Sequence, residues 1–156
     1  MSFTLRNMVH VGQITATIKT GDVTNAPTNG RVYLGIGGRE FRLNKPGDQF
    51  KRGGTNEFII GDGGNVNNPR NANDLPFVDE GTVNTPALPY DDLGLYPTYI
   101  RLEPKEEDDD WNVESVNVIA KKYQAETPTG DSTTFTDLEG NTWLGDPFGK
   151  LLALHK

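Results

Sequence analysis

A chain of 156 residues can fold as one domain with its own core, and it is too short for two domains of ordinary size. A formal charge of −7 argues against a nucleic-acid partner and against unaided adsorption to anionic lipid, because both depend on clustered Lys and Arg. The absence of Cys excludes disulfides, thiolate metal sites and a cysteine nucleophile.

Hydrophobic residues make up only 34%, beside 18 Gly and 10 Pro, so many positions are spent on turns and short strands fit better than long helices. No apolar run approaches the roughly 18 residues of a membrane helix. Residues 1–11 lack the apolar centre of a secretory signal. A cytosolic protein is expected, unless a targeting segment or neighbouring domain lies outside this chain.

Ile14, Ala16 and Ile18 alternate with Thr15, Thr17 and Lys19, the period of a strand with one buried face. Val32, Leu34 and Ile36 repeat the pattern, as do Phe41 and Leu43. Gly37-Gly38 between them leaves room only for a tight antiparallel hairpin. Pro46-Gly47 has the residue order of a type II turn. Phe58 and Ile60 start a fourth strand.

From about residue 61 to 96 the pattern gives way to Gly, Asn, Pro and Asp, which predicts a long loop insertion. Its apolar islands hold Phe77, Leu88, Tyr90 and Tyr96. Most such islands are expected to fold back, since exposed apolar groups gain nothing without a partner.

Strand periodicity resumes at Ile100 and Leu102, followed by the acidic run Glu103 to Asp110. Trp111 and Val113 then share one phase, while Val116, Val118 and Ala120 share the other. A one-residue bulge near Glu114-Ser115 would turn both sets inward. The last apolar groups, Phe135, Leu138, Trp143-Leu144 and Leu151 to Leu154, are too short to assign from periodicity.

Four pieces of this chain together resemble the PLAT family of small β-sandwiches. They are Lys19-Thr20-Gly21-Asp22 with Thr28-Asn29-Gly30-Arg31-Val32-Tyr33-Leu34, the segment Asp48-Gln49-Phe50-Lys51-Arg52-Gly53, the pairing of Ile100-Arg101 with Asp110-Trp111 and Val116-Asn117-Val118, and Trp143-Leu144. The resemblance covers about residues 12–145. It implies an all-β antiparallel β-sandwich of about eight strands, a single domain over 1–156, with the insertion at 61–96. It also implies a non-catalytic binding module that docks its host to membranes or partner proteins, often with calcium. Pro27-Thr28-Asn29 departs from the family's Gly-Thr-Asp, and the insertion exceeds the usual connection.

Calcium takes six to eight hard oxygen ligands. The resemblance brings Asp22, Asn25 and Asn29 together with Asp48 and Asn56 at one end of the sandwich. The acidic run could join that end with Asp109 and Asp110 as its only plausible ligands, although a solvated acidic loop is the commoner meaning of such a run. Asn29 and Asn56 stand where the family often has Asp, so only weak calcium binding is expected. In most loops such residues simply satisfy turn backbones. Trp111 and Trp143 are expected in the core. His10 and His155, the only histidines, have no triad arrangement around them.

The sequence thus reads as a calcium-assisted module for a lipid interface or partner protein, monomeric or part of a larger assembly. The alternatives are a metal-free interaction or structural domain using the insertion, with Phe77, Leu88, Tyr90 and Tyr96 as anchors, or a carbohydrate-binding module.

Overall fold

A computed structural model of the chain describes residues 9–67, 88–123, 131–138 and 140–156. It is all-β, with nine strands among the described residues: β1 Val11–Thr20, β2 Arg31–Ile36, β3 Arg39–Arg42, β4 Thr55–Gly61, β5 Thr98–Glu103, β6 Trp111–Lys122, β7 Ser132–Asp137, β8 Thr142–Leu144 and β9 Leu151–Leu154. One sheet runs β4-β1-β6-β7, with β8 also pairing β6, and the other runs β3-β2-β5-β9. All pairings are antiparallel. Among the described residues no helix is long and apolar enough to cross a membrane.

The inner faces follow the period-two pattern. Ile14, Ala16 and Ile18 of β1 are fully buried beside Ile60 and Phe58 of β4 and Ala120, Val118 and Val116 of β6. Leu34 of β2 lies between Phe41 and Ile100, so the second sheet supplies the facing apolar layer. Gly37 and Gly38 both take positive φ, 61° and 82°, the geometry of a two-residue hairpin turn.

The expected bulge is present. Lys19 pairs Ser115 while Thr20 pairs Val113, leaving Glu114 as the extra residue. Trp111, Val113, Val116, Val118 and Ala120 are all buried as a result. The unassigned C-terminal groups become β7, β8 and β9, with Phe135, Leu144 and Leu154 buried.

The described ends of the insertion are more ordered than its composition suggests. Val66 at its start is buried, and the Asn65 side chain accepts from the Ile59 N–H at 2.8 Å. At its far end Val11 N–H donates to the Leu88 carbonyl, and Tyr90–Leu95 forms a short 3-10 helix with Leu93 buried. Leu88, expected as a surface anchor, is instead 1% exposed and part of the core. Its side chain reaches the space beside Gly37, where burial outweighs any gain from a solvent-facing position. Phe77 lies outside the described residues.

Candidate binding site at the loop end

The loop after β1 is latched by main-chain bonds on both sides. Thr20 N–H donates to the Gly54 carbonyl and Gly53 N–H to the Gly21 carbonyl, joining it to the loop before β4. Gly21 N–H donates to the Asn112 carbonyl and Asn112 N–H to the Ala26 carbonyl, joining it to the start of β6. The two loops expected to converge do so.

Three of the seven candidate ligands, however, serve as braces. Asp109 accepts from Thr28 Oγ1 at 2.8 Å and Asn29 N–H at 3.2 Å with Oδ1, and from Lys105 N–H at 2.9 Å with Oδ2. It ties the acidic segment to the β1–β2 loop. Asp22 pairs with Arg52 at 2.9 Å. Asn56 Oδ1 accepts from Phe50 N–H at 2.9 Å, holding Phe50 at φ 56° while its ring packs edge-on against Trp111. Asn29 and Asp48 are exposed. Among the described residues no three His, Cys, Asp or Glu side chains are grouped so as to hold a metal ion.

Asn25 and Asp110 are brought together in a cleft of about 600 Å³, which is lined also by Thr24, Pro27, Asp108, Trp143 and Phe148. Asp110 Oδ1 is buried against Gly145 and has no hydrogen-bond partner. Among the described residues no Lys or Arg lines this cleft. Trp143, expected in the core, is only half-buried and stacks on Phe148 with ring centroids 6.0 Å apart. Phe148 is 55% exposed at the tip of a turn closed by the Gly145–Gly149 bridge. Its one sequence signal is an aromatic residue in the glycine-bounded segment Gly145-Asp146-Pro147-Phe148-Gly149, a turn too tight to bury its own tip.

A second cleft, of about 240 Å³, runs between residues 28–32 and residues 42–51. The wall formed by 44–49 is folded around the Gln49 amide. Its Nε2 donates to Asn44 Oδ1 at 3.1 Å and the Lys45 carbonyl at 2.9 Å, while Oε1 accepts from Lys45 N–H at 3.1 Å. Gly47 at φ 94° completes the turn expected at Pro46-Gly47. This brace is absent from the sequence reading, because a Gln in a polar loop carries no pattern of its own.

The remaining candidates stand apart. Tyr90 is half-buried, its hydroxyl bonded to Thr133 and its face covered by Lys122 at 5.0 Å. Tyr96 is 48% exposed beside Gly38, next to Leu95 at 71%. His10 bonds through its carbonyl to Tyr123 at the end of β6, while His155 pairs Thr136, the partner of Asn117, so the two imidazoles do not share one part of the ladder.

On the outer face of the second sheet Glu40 accepts from Arg101 at 2.9 and 2.7 Å and from the Tyr99 hydroxyl at 2.8 Å. The Arg101 hydrogen bonds hold the Glu40 carboxyl below its usual value of 4.5, overcoming the opposing effect of burial, and the Tyr99 bond assists. Burial, followed by the hydrogen bond and charge of Glu40, pushes the Tyr99 phenol up. Arg101 also covers the Tyr33 ring at 4.2 Å, which leaves an outward-facing Tyr only 8% exposed.

No family model matches the chain, and no curated protein does. Among solved structures, the alpha toxin from Clostridium absonum is similar, with 25% identity and a TM-score of 0.58, over 94% of this chain and 32% of the toxin. An alpha-toxin of Clostridium perfringens from an avian strain gives 21% identity and 0.58, over 95% of this chain and 32% of that one. A lipoxygenase deletion variant gives 15% identity and 0.50, over 92% of this chain and 16% of that one. The chain thus spans about a third of the toxins it matches. Two packed antiparallel sheets, the strand pairing set out above and these neighbours identify the fold as the PLAT-type β-sandwich expected from the sequence.

Proposed function

We infer that this protein is a non-catalytic docking module whose loop end, built from the segments 21–30, 105–112 and 143–149, takes up one divalent cation and meets a lipid interface or partner protein. The supporting observation is the cleft lined by Asp108, Asp110 and Asn25, with no basic side chain among its described residues, beside the exposed ring of Phe148. Two carboxylates, one amide and nearby main-chain carbonyls fit a calcium ion incompletely. Water would fill the remaining positions of its six to eight ligands, so the affinity falls in the weak, extracellular-type range of about 0.1–1 mM. Calcium supplies positive charge there, which offsets the negative potential that otherwise opposes approach to an anionic surface. Phe148, exposed in the cleft wall, and Val23, exposed in the same loop as Asn25, are the apolar groups offered to that contact.

The deciding experiment is a calorimetric titration of calcium into chelator-treated protein, with Asp110→Asn and Asp22→Asn beside the wild type. Saturable binding that Asp110→Asn weakens and Asp22→Asn leaves intact is the expected result. Silence at several millimolar calcium overturns the metal reading. Vesicle co-sedimentation with and without calcium, repeated with Phe148→Ser, then tests the docking step.

A second reading rests on Leu95 and Tyr96, exposed at 71% and 48% at the described end of the insertion. They favour a metal-free protein contact there, and Leu95→Asp would remove it without altering the calcium titration.

A further inference from the structure

We propose that the second cleft is a binding site for a phosphoryl group, with Arg42 and Lys51 as its principal contacts and Arg31 at its edge. The chain carries 22 acidic and 15 basic residues, yet this cleft reverses the ratio. Arg31, Arg42 and Lys51 line it against a single carboxylate, Asp48. Arg31 reaches Glu103 only at 3.5 Å. Among the described residues no carboxylate pairs with Arg42 or Lys51, although every other arginine described has an ion pair, hydrogen bond or ring contact.

Arg42 is also half-buried, placed on β3 opposite Tyr33. A guanidinium partly withdrawn from water without an anion loses hydration and regains nothing. Its planar fork matches the oxygens of a phosphate or carboxylate, and a lysine adds a point charge without directional demand. The dianionic phosphoryl group, about −1.5 to −2 near neutral pH, balances two unpaired cations where a carboxylate balances one. Size agrees, since about 240 Å³ admits a tetrahedral oxyanion with waters. The remaining polar walls, Thr28, Asn29 and Asn44, supply hydrogen-bonding groups without further charge.

Rigidity supports the assignment. The Gln49 amide fixes one wall, and Asn56 holds Phe50 at its base. The opposite wall is fixed through Asp109, which clamps Thr28 and Asn29. The cations therefore stand on braced segments, which lowers the cost of ordering them around a ligand.

The phosphoryl group belongs either to a lipid headgroup or to a small soluble phosphate, and two arms separate these sources. The whole chain is kept in chelator throughout, so that failure here is distinct from failure of the calcium reading. In the first arm inorganic phosphate is titrated while backbone amide resonances are followed. In the second, the protein is sedimented with phosphatidylcholine vesicles with and without phosphatidic acid. Each arm includes Arg42→Gln, Lys51→Gln and, as a charge control on the exposed face of β6, Lys121→Gln.

Saturable shifts confined to residues 28–32 and 42–51, with affinity falling about tenfold in Arg42→Gln and unchanged in Lys121→Gln, are expected. Retention of phosphatidic-acid vesicles that Arg42→Gln abolishes assigns the lipid source, and phosphate binding without vesicle retention assigns the soluble one. The proposal is overturned by no binding in either arm, or by responses that Arg42→Gln and Lys51→Gln leave at wild-type strength.

Discussion

The two clefts, lined by successive parts of the segment 24–32, use similar side chains in opposite ways. In the smaller one, amides work inward: Gln49 and Asn56 spend their hydrogen bonds on the loop's own backbone, and the cations are left facing space. In the larger one, Asp109 does the bracing, while its neighbour Asp110 is left with a buried oxygen and no partner. Adjacent aspartates thus differ, one committed to bracing the loops and the other left uncommitted. A polar residue in a loop is available to a ligand only when the backbone has not already claimed it.

Gly145→Ala should disturb the larger cleft most. An added Cβ falls 2.0 Å from Asp110 Oδ1, at a φ of 154° that L side chains rarely adopt, so a loss of roughly 2–4 kcal/mol is expected in urea denaturation. Phosphate-induced shifts at residues 42–51 should survive it, and their loss would show that the two clefts are one unit. Asn56→Ala makes the reverse test. It leaves the Phe50 N–H without its acceptor at a left-handed backbone position and should cost about 1–3 kcal/mol, with faster amide exchange over 48–56.

Glu40 lies on β3, the strand that carries Arg42, and makes the fold sensitive to acid. Because the folded-state pKa of Glu40 is depressed, its contribution is fully present above about pH 4.5 and is lost as pH falls through the lower folded value. Glu40→Gln should cost about 1 kcal/mol at neutral pH, discounted for partial exposure, and should flatten the acid limb of a stability–pH curve. An unchanged acid limb would deny Glu40 that role. The smallest effect belongs to Asp110→Asn, which removes no hydrogen bond to Oδ1 and should shift stability by under about 0.5 kcal/mol. A large loss would make Asp110 a structural residue like Asp109.

The strands were legible because their cause is local. Alternation along Ile14 to Ile18, the Gly37-Gly38 turn and the change of phase between Val113 and Val116 each follow from neighbours in sequence. Leu88 and Leu93 were not placed, since a loop's entry into the core depends on the space that other elements leave. The division between Asp109 and Asp110 was equally hidden. It is decided by Thr28 and Asn29, some 80 positions away, through contacts that no periodicity announces. Trp143 was expected in the core because the resemblance places a tryptophan there, and its half-exposure reflects the short turn that puts Phe148 beside it.

The two tryptophans give the protein two independent optical reporters. Trp111 is fully buried, its indole N–H donating to Thr20 Oγ1 at 3.0 Å, whereas Trp143 forms part of the wall of the larger cleft. Their surroundings differ enough in polarity for their fluorescence to separate, blue-shifted for the enclosed ring and red-shifted for the half-exposed one. In Trp143→Phe the emission follows the core alone, and in Trp111→Phe it follows the loop end. Occupancy of that end can then be watched without a label, and distinguished from unfolding in the same cuvette.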